Sequence, residues 1–175
     1  MVVNSKRKGN SGERECSKIL AKYLGGNFQR VASSGAHIGG KNQVRKESMS
    51  STQIRASKSD IIPPDEYPNL VIECKSYKDL PYHGFVTSIN ISNLDTWIKE
   101  LKYDCDDNDF GILCFKTNRK KWTICFDVKY QYKFNLKNYS IYNDHILTGL
   151  EDFLSDDHNS NQVKILSNEV NNVKL

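Results

Sequence analysis

Apolar positions along the chain fall by turns into helical and strand periods, and the order of those segments predicts an α/β fold. Residues 11–24 carry Cys16, Ile19, Leu20, Tyr23 and Leu24 at i, i+3, i+4, i+7 and i+8, the stripe of an amphipathic helix. Asn10 is placed to cap that helix with Glu13 three residues on, and Gly25 and Gly26 are placed to end it. Residues 27–32 predict a short strand that holds Arg30. Two β-rich runs, 60–62 and 70–73, flank a cluster of Pro, Asp, Glu, Tyr and Asn and predict a hairpin with a rigid turn. After a connector at 77–86, a second helix is predicted over 92–103. Ser92 is its cap, Asp95 its first-turn acid, and Leu94, Trp97, Ile98 and Leu101 its buried stripe. Past an acidic loop at 104–109, residues 110–116 and 121–128 read as a hairpin about a turn at 117–120. Trp122, Ile124, Phe126 and Val128 alternate onto one face of it. Residues 130–142 are tyrosine-rich and show no clear period. A third helix at 144–154 would bury Ile146, Leu147, Leu150 and Phe153. The remainder is polar and Asn-rich, so the expectation is one domain over 1–155 and a loosely held tail over 156–175.

The chemistry concentrates in the first hairpin. Folding it about Glu66 and Tyr67 sets Asp60 opposite Glu73, and strand alternation puts Glu73 and Lys75 on one face with Cys74 on the other. Glu73 and Lys75 alone would fit an ordinary hairpin with a polar wet face. Facing carboxylates repel across a strand pair, however, and packing gives no reason for them. A hard cation does, since Mg²⁺ takes one or two carboxylates together with water and phosphate oxygens. A lysine beside it can hold or deprotonate an attacking water, which is the equipment for metal-assisted phosphodiester hydrolysis. Asp65, in the Pro64-Asp65 dipeptide, falls in the turn about 16 Å along the strand from Glu73 and cannot share its metal. Glu13 lies on the apolar face of helix one, three before Cys16 and seven before Leu20, and is either a cap or a third carboxylate beside the metal. Arg14, Lys18 and Lys22 form a basic stripe next to it.

Composition narrows the partners. At 175 residues the chain is long enough to bury a real core, and it has no run of about 18 apolar residues that would cross a membrane. The N-terminal residues include no apolar stretch of a secretory signal. Five cysteines at 16, 74, 105, 114 and 125, with no Cys-x-x-Cys pair, point to reduced thiols in a cytoplasmic setting rather than a disulfide framework or a zinc site. Net charge is only +4, but residues 1–58 hold 12 Lys and Arg against 3 acidic residues, a net of +9, while the remainder is −5. A basic half ahead of a metal-binding hairpin suggests a polyanion held against it. Within that half, residues 33–59 lack any sustained period. Lys41, Arg45, Lys46, Arg55 and Lys58, opposed only by Glu47, make about 36–58 a basic mobile insertion expected to order on nucleic acid. A solubilising insertion without a role is the alternative.

The order of elements, with an acid on the first helix and Asp…Glu-x-Lys on the hairpin, resembles the PD-(D/E)xK nuclease superfamily. Within it the chain is similar to the archaeal-type Holliday junction resolvases, which phages also carry. Four local matches carry the likeness: Lys8-Gly9 followed by Glu13-Arg14-Glu15; Arg30 followed by Ser34-Gly35; Ser59-Asp60-Ile61; and Ile72-Glu73-Cys74-Lys75-Ser76. They span roughly residues 6–128. The insertion between Gly35 and Asp60 departs from the family, where only a few residues are usual.

The resemblance implies a restriction-endonuclease-like core, a central mixed five-stranded sheet flanked by helices. It implies that Glu13, Asp60 and Glu73 ligate or support Mg²⁺, with Mn²⁺ able to substitute, and that Lys75 positions the water. It further implies that Arg14 and Arg30 contact phosphates near the scissile bond, with Lys8 also toward DNA, and that Ser34 lies in a mobile loop against the backbone. Members are homodimers with two sites on one flat basic face, which matches a four-way junction cut on two strands. The expected activity is thus resolution of four-way junctions by a Mg²⁺-dependent endonuclease. Another nuclease of the same superfamily, of restriction or repair type, and a non-catalytic DNA-binding protein are the alternatives.

Overall fold

A computed structural model of the chain describes residues 5–31, 58–87 and 89–169, with the backbone alone for residues 5–8 and 86. Its centre is the expected mixed five-stranded sheet, in the order β3 (Leu70–Tyr77), β4 (Phe110–Thr117), β5 (Thr123–Asp127), β7 (His145–Gly149), β6 (Tyr139–Tyr142). β3 and β4 run parallel, with Glu73 level with Leu113 and Lys75 with Phe115, and the other pairings are antiparallel. A parallel pair needs a crossover, which α3 (Ser92–Asp104) supplies, entered through the short α2 (Gly84–Thr87).

The crossover sorts the core into two layers. Leu70, Ile72 and Cys74 of β3 join Ile112, Cys114, Ile124 and Ile146 beneath α1 (Ser5–Leu24), α4 (Leu150–Leu154) and α5 (Asp157–Asn168). Val71 of β3 joins Leu113, Phe115, Cys125 and Leu147 on the other face, under Leu94, Trp97, Ile98 and Leu101 of α3. Because both faces are covered, β5 is buried on both, not on one as its alternation suggested.

Several elements differ from expectation, each for a local reason. α1 begins at Ser5, so Asn10 is an internal helix residue and not a cap; its Oδ1 accepts a 2.7 Å bond from Arg30 Nη2. The Lys and Arg residues ahead of it are good helix formers and carry the helix back past Gly9. α3 has no side-chain cap: Ile91 is its N-cap, and Asp95 instead accepts bonds from Tyr142 Oη at 2.8 Å and Asn143 Nδ2 at 2.9 Å. The third helix is a strand followed by a helix, β7 then α4. Ile146 faces one core and Leu147 the other, so a strand buried on both sides reads as continuous apolar sequence. Asn143 and Asp144, at φ 42° and 60°, form the tight turn from β6. The tyrosine-rich stretch becomes a 3₁₀ helix (Val128–Lys133) and β6. The supposed tail holds α5, capped by Asp156 and packed into the core through Val163 and Leu166, so no boundary falls at residue 155. Buried Asn159 ties it down, accepting from Asn135 N–H at 2.7 Å and donating to Asn135 and Phe153 carbonyls.

The first hairpin is also rearranged. β2 (Ile61–Ile62) pairs not with β3 but with β1 (Gln29–Arg30), antiparallel, and this two-residue ribbon docks beside the outer edge of β3. Tyr67 of the Pro-rich turn donates to the Leu24 carbonyl at 2.6 Å, which holds the turn against the end of α1.

α1 crosses β3 so closely that a Cβ on Gly12 would lie 2.8 Å from Ser76 Cβ. A helix-interior glycine is unfavourable by roughly 1 kcal/mol against alanine, and here the contact it permits brings Glu13 to the sheet edge. Gly12→Val is expected to destabilise the protein by about 1–3 kcal/mol, the usual range for overpacking, and Gly12→Ala by less. Thermal melting reads this directly, and an unchanged Tm for Gly12→Val would show that α1 rides away from β3 without penalty.

Candidate active site

β3 is an edge strand, and Asp60 bonds to its outer edge on either side of Glu73. The Asp60 N–H donates to the Ile72 carbonyl at 3.1 Å, and its Oδ2 accepts the Cys74 N–H at 3.0 Å. The Asp60 carbonyl in turn accepts the Val31 N–H at 2.9 Å. The two carboxylates thus sit side by side at one strand edge, Asp60 8% and Glu73 7% exposed. Glu73 and Lys75 face α3, whereas Cys74 points to the α1 side. Glu13 arrives from α1 and is equally buried, with its Oε2 accepting from Arg30 Nε.

The electrostatics follow from this crowding. Burial, and then the charge of Asp60, push the Glu73 carboxyl up to about 8 against the pull of the Lys75 ammonium. Glu13 is also raised, by burial first, with the Arg30 hydrogen bond opposing and the Asp60 charge adding. Burial works against the Lys75 charge, but Glu73 and a hydrogen bond to Glu100 overcome it and hold the ammonium protonated well past the ordinary lysine range. Lys75 Nζ lies 2.5 Å from Glu73 Oε1 and 2.9 Å from Glu100 Oε2.

Of the residues singled out in the sequence, Glu13, Asp60, Glu73 and Lys75 come together. Arg30 reaches the site too, but its guanidinium is engaged by Glu13 and Asn10, not turned outward for a phosphate. Arg14 is exposed on α1. Lys58 is not an open contact: its ammonium is largely buried between Asp106 at 2.6 Å and Asp109 at 2.7 Å, because the acidic loop after α3 folds against it. Asp65 is exposed in the turn. Ser34, Lys41, Arg45, Lys46 and Arg55, and the side chain of Lys8, lie outside the described residues.

Sequence reasoning missed Glu100. The signal was the crossover itself, since a β3–α3–β4 unit lays α3 over the face that carries Glu73 and Lys75, and an acid one turn past Trp97 then meets the lysine. The five cysteines are free thiols, as expected. Cys16, Cys74 and Cys114 touch beneath the site, and burial pushes the Cys16 thiol far up, which makes it packing and not a nucleophile.

Among the described residues no three His, Cys, Asp or Glu side chains gather tightly enough to cage an ion by themselves. Asp60 and Glu73 nevertheless suit a hard divalent cation, which takes one or two carboxylates and fills its remaining positions with water and phosphate oxygens. No helix among these residues is long and apolar enough to cross a membrane.

The same crowding has a measurable effect on stability. The Glu73 carboxyl has a folded-state pKa of about 8 against an ordinary 4.5. The folded protein therefore binds the proton more tightly than the unfolded chain, and the associated stability is complete below about pH 4.5 and lost as pH rises through about 8. Glu73→Gln, which keeps shape without charge, should raise Tm relative to the parent at pH 8.5 and give little difference at pH 4.5. A lower Tm for the variant at pH 8.5 would show that the carboxylate is not under repulsion.

The family model described as "Phage putative PDDEXK endonuclease" matches residues 4–171. Protein D14 of Escherichia phage T5 is 28% identical over 131 residues, 73% of each chain. No solved structure is a significant match. The family match reaches through β7, α4 and α5, beyond the region of the four motifs, and takes in every element that meets at the Asp60 and Glu73 edge. The chain belongs to this phage PDDEXK endonuclease family, and with it to the PD-(D/E)xK nucleases, which generally use divalent metals.

Proposed function

We propose that the protein is a Mg²⁺-dependent, structure-specific DNA endonuclease that resolves four-way junctions, acting as a homodimer. The observation that carries the catalytic part is the pairing of Asp60 with Glu73 at the β3 edge, with Lys75 on the same face as Glu73. The junction part rests on the resemblance of the motifs around Glu13, Arg30, Asp60 and Glu73 to the junction resolvases, and on the basic charge of residues 1–58.

In this reading Asp60 and Glu73 hold the metal and Glu13 supports them from α1, its charge shared with Arg30. Bound there, Mg²⁺ supplies a Lewis acid for the phosphate and lowers the pKa of water. Lys75, beside Glu73 and Glu100, acts as a donor that orients the attacking water. Water oxygen bonds to phosphorus and the bond to the 3′ oxygen breaks. One water proton ends on that oxygen and one goes to solvent, leaving a 5′-phosphate and a 3′-hydroxyl. Exposed Arg14 and Lys18 of α1, with Lys41, Arg45, Lys46 and Arg55, hold the DNA backbone. A single site cuts one strand, so two symmetric cuts call for a C₂ pair of chains.

Asp60→Asn and Glu73→Gln should each abolish Mg²⁺-dependent cutting of a four-way junction while junction binding survives, because affinity rests mainly on phosphate contacts elsewhere. Asp65→Asn should cut normally. Gel assays with a junction and a linear duplex of the same sequence decide the substrate, and equal cutting of both would replace the resolvase reading with a general nuclease. Sedimentation should show a species near twice 20.1 kDa, and mixed dimers with one Glu73→Gln chain should nick a cruciform plasmid without linearising it.

Replacing Lys41, Arg45, Lys46 and Arg55 with Ala should flatten the salt dependence of binding, by a slope of roughly 0.9 for each phosphate that is no longer neutralised. An unchanged slope would return the insertion to the role of a solubilising segment.

A further inference from the structure

In the proposed site Lys75 has a partner that is asked to do two things. Its ammonium leans on Glu73, and Glu73 is also the carboxylate that would take the metal. A divalent cation on Glu73 competes for the same oxygens and repels a neighbouring ammonium, so the contact that holds Lys75 without metal is weakened when metal loads. What remains is Glu100 of α3, 2.9 Å from Lys75 Nζ.

The placement of Glu100 is built into the fold. Trp97, one turn earlier on α3, is buried against Phe115 and takes Tyr77 edge-on, which fixes the helix over the end of β3 just beyond Lys75. Leu101, the next residue after Glu100, is buried in the same layer. The carboxylate is itself half exposed, its side chain at 48%. An ion pair that open contributes little to folding.

We propose that Glu100 is the positioning residue for Lys75: it keeps the ammonium aimed at the attacking water once Glu73 is engaged by the metal. This rests on the reading that Glu73 binds metal and Lys75 orients water. Glu100 touches neither metal nor substrate and acts only through the lysine. Orienting partners of this kind typically change activity by 10–100-fold when removed.

The test compares Glu100→Gln and Glu100→Asp with the parent on the full-length protein. Glu100→Gln should lower kcat roughly 10–100-fold at saturating Mg²⁺, with KM for DNA, DNA affinity in EDTA and Tm unchanged. Glu100→Asp should recover part of the activity, because it restores the charge. In a Lys75→Met background Glu100→Gln should cause no further decrease, since a residue acting through Lys75 has nothing left to act on. A readout without turnover is the Lys75 ammonium resonance in ¹⁵N-edited NMR. It should persist when Mg²⁺ is added to the parent and disappear in Glu100→Gln.

Three results would overturn the proposal. One is a kcat within twofold of the parent for Glu100→Gln while Glu73→Gln is dead, which leaves a surface ion pair and nothing more. Another is a full additional decrease in the Lys75→Met background, which separates Glu100 from the lysine. The third is normal cutting by Asp60→Asn and Glu73→Gln, in which case the catalytic reading itself falls and this proposal with it.

Discussion

The bonding of Asp60 to the edge of β3 is the constraint on which the rest of the site depends. Among the described residues β3 has a ladder partner on one side only, so the outward backbone groups at Ile72 and Cys74 need other partners. Asp60 meets both, one through its own N–H and the other through its carboxylate. The same act brings its charge beside Glu73. Satisfying an edge strand and bringing two carboxylates together are therefore one event, and neither occurs without the β1 and β2 ribbon that delivers Asp60 to the edge.

That arrangement is unfavourable for the isolated fold. Three buried carboxylates are held at bay by two cations that approach from opposite layers, Arg30 against Glu13 and Lys75 against Glu73. Buried ion pairs of this sort compensate desolvation only in part. The raised carboxyls of Glu13 and Glu73 express the remainder. A divalent ion would relieve it, and the protein keeps the strain where the chemistry needs it.

Much of this was legible in the sequence, and what was not has identifiable physical causes. The proximity of Asp60 to Glu73, and the shared face of Glu73 and Lys75, follow from strand alternation and a Pro-rich turn, which are local. The route was different, however: β2 pairs with β1, and a side chain takes the place of a ladder bond, which no period reveals. The resemblance implied a phosphate role for Arg30, and its pairing with Glu13, 17 positions away on another element, is nothing a local pattern reveals. Lys58 misled for the same reason, with its acids 48 and 51 positions on. β7 passed for a helix because a strand covered on both faces loses its alternation. α5 escaped because two of its buried positions are Asn159 and Ser167, polar residues that a hydrophobic count passes over.

The described residues on either side of 32–57 are both fastened. Val31, the last described residue before it, is bonded to Asp60, and Lys58 at its far end is locked between Asp106 and Asp109. The entropy of closing a chain between two fixed ends grows only with the logarithm of its length, so length between fixed ends is in general cheap to change. On the proposed reading, a change of length or sequence between these two anchors would leave Asp60 where the chemistry needs it.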